Sequence, residues 1–327
     1  MMKLVILNLV REMAMMHDSI EIDDNDENLI VLKETLDEMS DLLDFTSDSA
    51  FQQIQMEWIG NKTYLIQGQA LDAARHTLSS IWGCCKHACF SDAFTLVRKF
   101  RDDLVQYLFV ISTLNGIEGL SEEEAEKYLN DITDTDKVTE GLNLLLEIIS
   151  SGRKKKPHEK AVDSWLDNTL SDDAHFQDRR LYFDASKYIF LLKNDDTIKN
   201  CFELYLKPLW STLDRELNNY VHANGIKYVM SNLPNYIYDR RKDIIVHLVS
   251  AIRGIMVIFI SLIILIKPLS IQSCDYINYL DIGETPPEGS EYWVASIIQN
   301  FIDADIARVS SGLKQFLKEN NKYSMQI

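Results

Sequence analysis

The 327-residue chain has only five cysteines, an odd number that includes the adjacent pair Cys84-Cys85. That pattern argues against a disulfide framework and for a reducing cytoplasmic setting. Positive charge is also scarce: 33 Lys and Arg stand against 50 Asp and Glu, for a net charge of −17. A chain so acidic is unsuited to nonspecific duplex binding, which needs a cationic surface, although a local basic pocket could still engage RNA. No Gly-rich phosphate loop follows a strand, and there is no Gly-x-Ser-x-Gly elbow and no zinc constellation. Cys85, His87 and Cys89 do not make a zinc set, because a helix turns His87 away from the face of the two cysteines. No cofactor and no metal is therefore expected. Strand-like alternation and internal repeats are missing as well. The N-terminal MMKLVILNLVREMAMM has an apolar run too short for a signal peptide, with no small-residue cleavage site after it.

What remains is helical periodicity. The fold expected is an all-α, multi-helix bundle with a long buried or membrane-associated apolar helix and little or no β structure. Residues 1–50 read as an N-terminal helical arm with an acidic linker at 21–28, a helix over 29–43 and a loop over 44–49. Residues 51–270 read as the main bundle, with 115–200 as a candidate insertion. Residues 271–327 read as an ordered loop and a C-terminal helix, broken at Gly312. Asp24, Asp26 and Asn28 mimic a calcium loop, but Leu29 stands where Gly is required. Helices are expected over 4–16, 67–87 and 91–114, the last capped by Ser91. A capping box at 121–124 and an amphipathic run over 136–150 predict two more, followed by the basic run 153–157. Arg101 falls in the apolar arc of its helix beside Phe94, Val97, Val105 and Leu108. A guanidinium there needs an acceptor, so Arg101 is either half of a structural ion pair or a group for substrate phosphate.

The stretch 201–232 carries the most chemistry. On a helix, Leu206, Leu209, Trp210, Leu213, Leu217, Tyr220 and Val221 fill one apolar arc. Ser211, Arg215, Asn218, Asn219 and His222 gather on the opposite side, and Asn224-Gly225 supplies the stop. An Arg followed by a His with six residues between them resembles the HEPN superfamily of small helical ribonucleases and toxins. Glu216 stands where that family usually has Asn, Asp or His. The resemblance implies metal-independent RNA cleavage at the interface of a homodimer. His222 would move protons at the attacking 2′-hydroxyl and Arg215 would stabilise the phosphate charge, with Asn218, Asn219, Arg101 and Asp102 in support. The charged run RKFRDD at 98–103 fits the companion helix common in that family. Arg241 and His247 form a runner-up pair, and Arg240 shares that histidine. The plain alternative for Arg215 and His222 is a solvated helix face.

The most apolar segment runs from Ile244 to Ile266. Its uninterrupted part is short for a bilayer span, which suits a core helix. The whole segment reaches spanning length if His247 and Arg253 are accommodated, which would make the protein membrane-anchored. Three functions follow: a HEPN-like ribonuclease or toxin acting on RNA, a non-enzymatic helical interaction module, or a single-span membrane-anchored effector.

Overall fold

A computed structural model describes residues 26–57, 63–115, 156–166, 168–232, 240–273, 275–322 and 324–327. The helices expected over 4–16, 121–124 and onward, and 136–150 lie outside these residues, as do most of the acidic linker and the basic positions 153–155. In chain order the helices are α1 (Glu27–Glu57), α2 (Thr63–Lys86), α3 (Phe90–Asn115), α4 (Pro157–Leu166), α5 (Phe176–Tyr182), α6 (Tyr188–Leu192) and α7 (Asp196–Cys201). A π turn, Phe202–Leu206, joins α7 to α8 (Lys207–Val221), and α9 (Ile226–Met230) precedes the long α10 (Arg241–Ile266). The C-terminal part holds α11 (Asp275–Asp281), α12 (Ser296–Phe301), a second π turn at Ile302–Ile306, α13 (Ala307–Val309) and α14 (Ser311–Asn320). The only β pairing among the described residues is two isolated bridges, Gln272 with Val294 and Trp293 with Gln326. The fold is all-α with one long apolar helix, as the periodicity predicts.

The chain forms two compact units. Unit 1 comprises the described parts of Met1–Ser40, Arg75–Arg101 and Leu209–Ile255. Leu29, Leu32, Leu36 and Met39 of α1 follow helical spacing and are buried, as are Leu78 and Ile81 of α2, Phe94 and Phe100 of α3, and Leu248 and Ile252 of α10. Each such side chain contributes about 1.5–3 kcal/mol of transfer free energy. α1 begins at Asp26, whose Oδ1 accepts from the N–H groups of Asn28 (2.9 Å) and Leu29 (3.2 Å), a true N-cap. The other Asp26 oxygen pairs with Arg241, and Glu38 accepts Arg253 Nη2 at 2.5 Å, so α10 is tied to α1 at two levels. Burial alone would raise the Asp26 carboxyl. The Leu29 N–H, the Arg241 guanidinium and the Asn28 donors outweigh it and hold the group below its ordinary value.

Unit 2 comprises the described parts of Asp41–Ala74, Asp102–Pro208 and Met256–Ile327. Its aromatic cluster sets Phe109 against Phe183 and Tyr188, each at 5.7 Å, with Trp165 stacked on Phe183 at 5.9 Å. Every residue from Met256 to Ile266 is buried. The π turn at Phe202–Leu206 directs Tyr205 onto Phe316 of α14 at 5.6 Å, and Gly312 gives that ring room: a Cβ there would stand 3.1 Å from it.

Four local expectations are corrected. α1 does not stop at 44–49, because the buried hydroxyls of Thr46 and Ser47 bond to Leu42 O and Gly68 O and so tolerate a helix interior. α3 begins at Phe90, one residue before Ser91, whose N–H donates to Asn232 Oδ1 at 2.8 Å. Within the expected loop after Pro268, α11 forms. The C-terminal break lies at Ser310, which is extended and accepts from Gly312 N–H, so Gly312 is inside α14.

Candidate functional site

α8 buries Leu213 and Leu217, which fixes the rotation of its remaining faces. Arg101 reaches it from α3 and is 3% exposed. Its Nη1 donates to Asp214 Oδ1 at 3.0 Å, and its guanidinium lies 4.8 Å from the Trp210 ring centre. Asp214 also accepts from Asn218 Nδ2 at 3.1 Å. Of the two readings of Arg101, this geometry is that of an ion pair and cation–π stack that locks α3 to α8. Asp102, one residue on, is half-buried and belongs to unit 2.

Arg215 and His222 are both exposed. Seven residues are about two turns, so they share one side of α8. Neither lines the cavity beside the helix. Asn219, expected to support them, instead donates Nδ2 to the Tyr228 hydroxyl at 3.0 Å. α8 ends in a Schellman motif: Asn224 N–H donates to Asn219 O at 3.0 Å and Ala223 N–H to Tyr220 O at 3.2 Å. The left-handed residue is Ala223 (φ 48°) and not Gly225, so the stop is one step earlier than the Asn-Gly pair suggests. His222 is the last residue before that reversal.

Around the helix from Arg215 lies a cavity of about 420 Å³. Glu216 and Tyr220 of α8 line one side, and Lys227, Tyr228 and Ser231 line another. The Tyr220 ring stacks on Phe94 at 3.9 Å and meets Tyr228 edge-on at 4.8 Å, which makes that wall rigid. The Lys227 ammonium lies over the Tyr228 ring at 4.7 Å. The third side is Arg240, the residue just before α10, with Asp243, Ile244 and His247 of its first turns, on one face at i, i+3, i+4 and i+7.

That spacing sorts the runner-up residues. Arg240 and His247 are seven apart and nearly eclipse one another along the helix. Arg241 is six from His247, about 120° around, and its guanidinium is taken by Asp26. His247 and Arg240 thus line the same cavity, and Arg241 does not. Sequence reading missed Lys227, Tyr228 and Ser231. Their only signal was proximity to the Gly225 turn, which says nothing of where α9 lands.

Chemically, Arg240 and Lys227 are cations that can neutralise a phosphoryl group, and His247 at the rim can move a proton. Glu216 and Asp243 line the same cavity and offset that positive charge. Among the described residues no cluster of three His, Cys, Asp or Glu is arranged to hold a metal ion. Compared with family models, with curated proteins and with solved structures, the chain matches none.

Proposed function

We propose that unit 1 is a metal-independent ribonuclease of the HEPN-like kind, working from the cavity with Arg240 and His247 as its Arg–His pair. The observation that carries this reading is their joint presence in one cavity with Lys227. A volume of about 420 Å³ is in the range of small-ligand sites and accommodates one nucleotide with its phosphate. His247 accepts the proton of a ribose 2′-hydroxyl as its oxygen bonds to phosphorus. The P–O5′ bond breaks, the proton is returned to the leaving oxygen, and the products are a 2′,3′-cyclic phosphate and a 5′-hydroxyl. Arg240 and Lys227 stabilise the charge that builds on the phosphoryl oxygens. Burial favours α10 as a core helix over a membrane span: it is long and apolar enough to cross a bilayer, yet 83% of its most apolar window is buried.

The test is cleavage of single-stranded RNA in excess chelator by wild type, His247→Ala and His222→Ala. The expected result is wild-type cleavage, retained in His222→Ala and lost in His247→Ala. Loss in His222→Ala alone would move the site to the open face of α8, where a second copy would have to complete it. No cleavage by the wild type removes the ribonuclease reading.

A second reading, a helical interaction module, is favoured by one observation in unit 2. Phe176, Leu181, Phe190 and Leu204 are 48–68% exposed within residues 176–204.

A further inference from the structure

The end of α2 repeats the motif that ends α8. Cys89 N–H donates to Cys84 O at 2.8 Å and Ala88 N–H to Cys85 O at 3.1 Å, with Ala88 left-handed at φ 57°. These are the two bonds of a Schellman motif, whose outer bond joins the third-last helical residue to the second residue beyond the end. At α2 those two positions are Cys84 and Cys89. At α8 they are Asn219 and Asn224, and there the side chains touch: Asn224 Nδ2 donates to Asn219 Oδ1 at 3.2 Å. The motif brings these two positions to one side of the helix end; at α2 both carry thiols, and in the reduced state the Cys89 thiol donates to His87 O at 3.5 Å.

A bound on the backbone agrees. From the Cys84 α-carbon to its oxygen is about 2.4 Å and from the Cys89 nitrogen to its α-carbon about 1.5 Å. Adding the 2.8 Å hydrogen bond, the two α-carbons are at most about 6.7 Å apart, inside the range a disulfide spans. Both thiols are partly exposed, whereas Cys85 is fully buried.

We infer that Cys84 and Cys89 are a redox modification site that closes to an intramolecular disulfide when a peroxide or a small-molecule disulfide is supplied. With hydrogen peroxide, one thiolate attacks the O–O bond and becomes a sulfenic acid, releasing one water after protonation. The second thiolate attacks that sulfur, the S–S bond forms and the sulfenic oxygen leaves as a second water. Two thiols lose two electrons in total and the peroxide gains them. With a small-molecule disulfide, two successive thiol exchanges give the same bond and two reduced thiols. Burial first, then Asp92 and Cys89, push the Cys84 thiol up. A suppressed thiolate makes closure slow, on the scale of a stress response and not of a rapid peroxide sensor. The bond would staple the end of α2 to the residue before α3, the helix whose Phe94 supports the Tyr220 wall of the cavity.

The full chain, treated with hydrogen peroxide or with oxidised glutathione, is alkylated and digested with trypsin without reduction. Cleavage after Lys86 separates the two cysteines, so closure yields peptide 76–86 linked to peptide 87–98 and lighter by two hydrogens. The link is expected in wild type and in Cys85→Ala, and is lost in Cys84→Ser and Cys89→Ser, each checked for helical content. A second measurement needs no variant: a trivalent phenylarsenical, which bridges two thiols, binds one equivalent to untreated protein and shields Cys84 and Cys89 from alkylation. Separate oxidation products with no linked peptide, a link through Cys85, or no arsenical protection overturns the inference.

Discussion

α8 and α10, each with its flanking residue, carry an arginine and a histidine seven positions apart; all four side chains are exposed, yet only the α10 pair lines the cavity. On α8, Leu213 and Leu217 face the core, which turns Arg215 and His222 out to solvent. In the first turns of α10, Ile244, Ile245 and Leu248 are buried, and Arg240 and His247, although exposed too, line the cavity beside α9 and α8. The spacing is the same, so it cannot be what places a pair on a cavity. What separates the pairs is the direction of the adjacent apolar residues and whether another element closes the space in front.

The sharpest way to break this comparison is kinetic. Arg240→Ala is expected to lower metal-free RNA cleavage by about 100-fold or more, and Arg215→Ala to leave it within about twofold, in steady-state assays on a labelled oligonucleotide. Equal effects would mean that the cavity confers no advantage. Next in size is Asp214→Ala. It removes an acceptor from the nearly buried Arg101 and is expected to cost about 2–3 kcal/mol in urea unfolding. Arg215→Ala on the same helix should cost less than about 0.5 kcal/mol, as an exposed side chain does. If the two cost the same, Arg101 is not what anchors α8.

A third prediction concerns Arg241, the neighbour excluded from the cavity by Asp26. Asp26→Asn keeps a capping side chain but removes the charge, with an expected cost of about 1 kcal/mol near neutral pH. The folded carboxyl lies below its ordinary value, so its contribution is complete above the unfolded value of about 4 and is lost as pH falls through the folded one. The variant's denaturation midpoint should therefore lose part of the wild type's decline in acid. If Asp26→Asn also raises cleavage, Arg241 can reach the cavity once released. The smallest effect is at the end of α8. Ala223→Gly relieves a left-handed alanine and is expected to stabilise by about 0.5–1 kcal/mol in thermal or urea melts without changing cleavage.

Much of the architecture was legible in the chain itself. Helical spacing marked α1, α2, α3, α8 and α10, and the inward turn of Arg101 followed from its place in an apolar arc. Local chemistry was less transparent wherever a polar side chain had two uses. Thr46 and Ser47 read as loop residues but satisfy themselves inside α1, and Ser91 reads as a cap but sits within α3, its N–H held by Asn232, far along the chain. The cavity was half legible. The eclipsed spacing of Arg240 and His247 is in the sequence, but the pairing of Arg241 with Asp26 joins residues too distant in sequence for any local pattern to reveal.

The amino-acid order by itself decided that this chain is helical, where its helices turn their apolar stripes, and that Cys84 and Cys89 stand five apart across a helix end. Those properties depend on 3.6-residue periodicity and on contacts within one or two turns. Only the tertiary structure decided which of the two exposed Arg–His pairs also lines the cavity. That choice rests on how α8, α9 and α10 come together in unit 1, and so on side-chain volumes and long-range packing that no short stretch of sequence encodes.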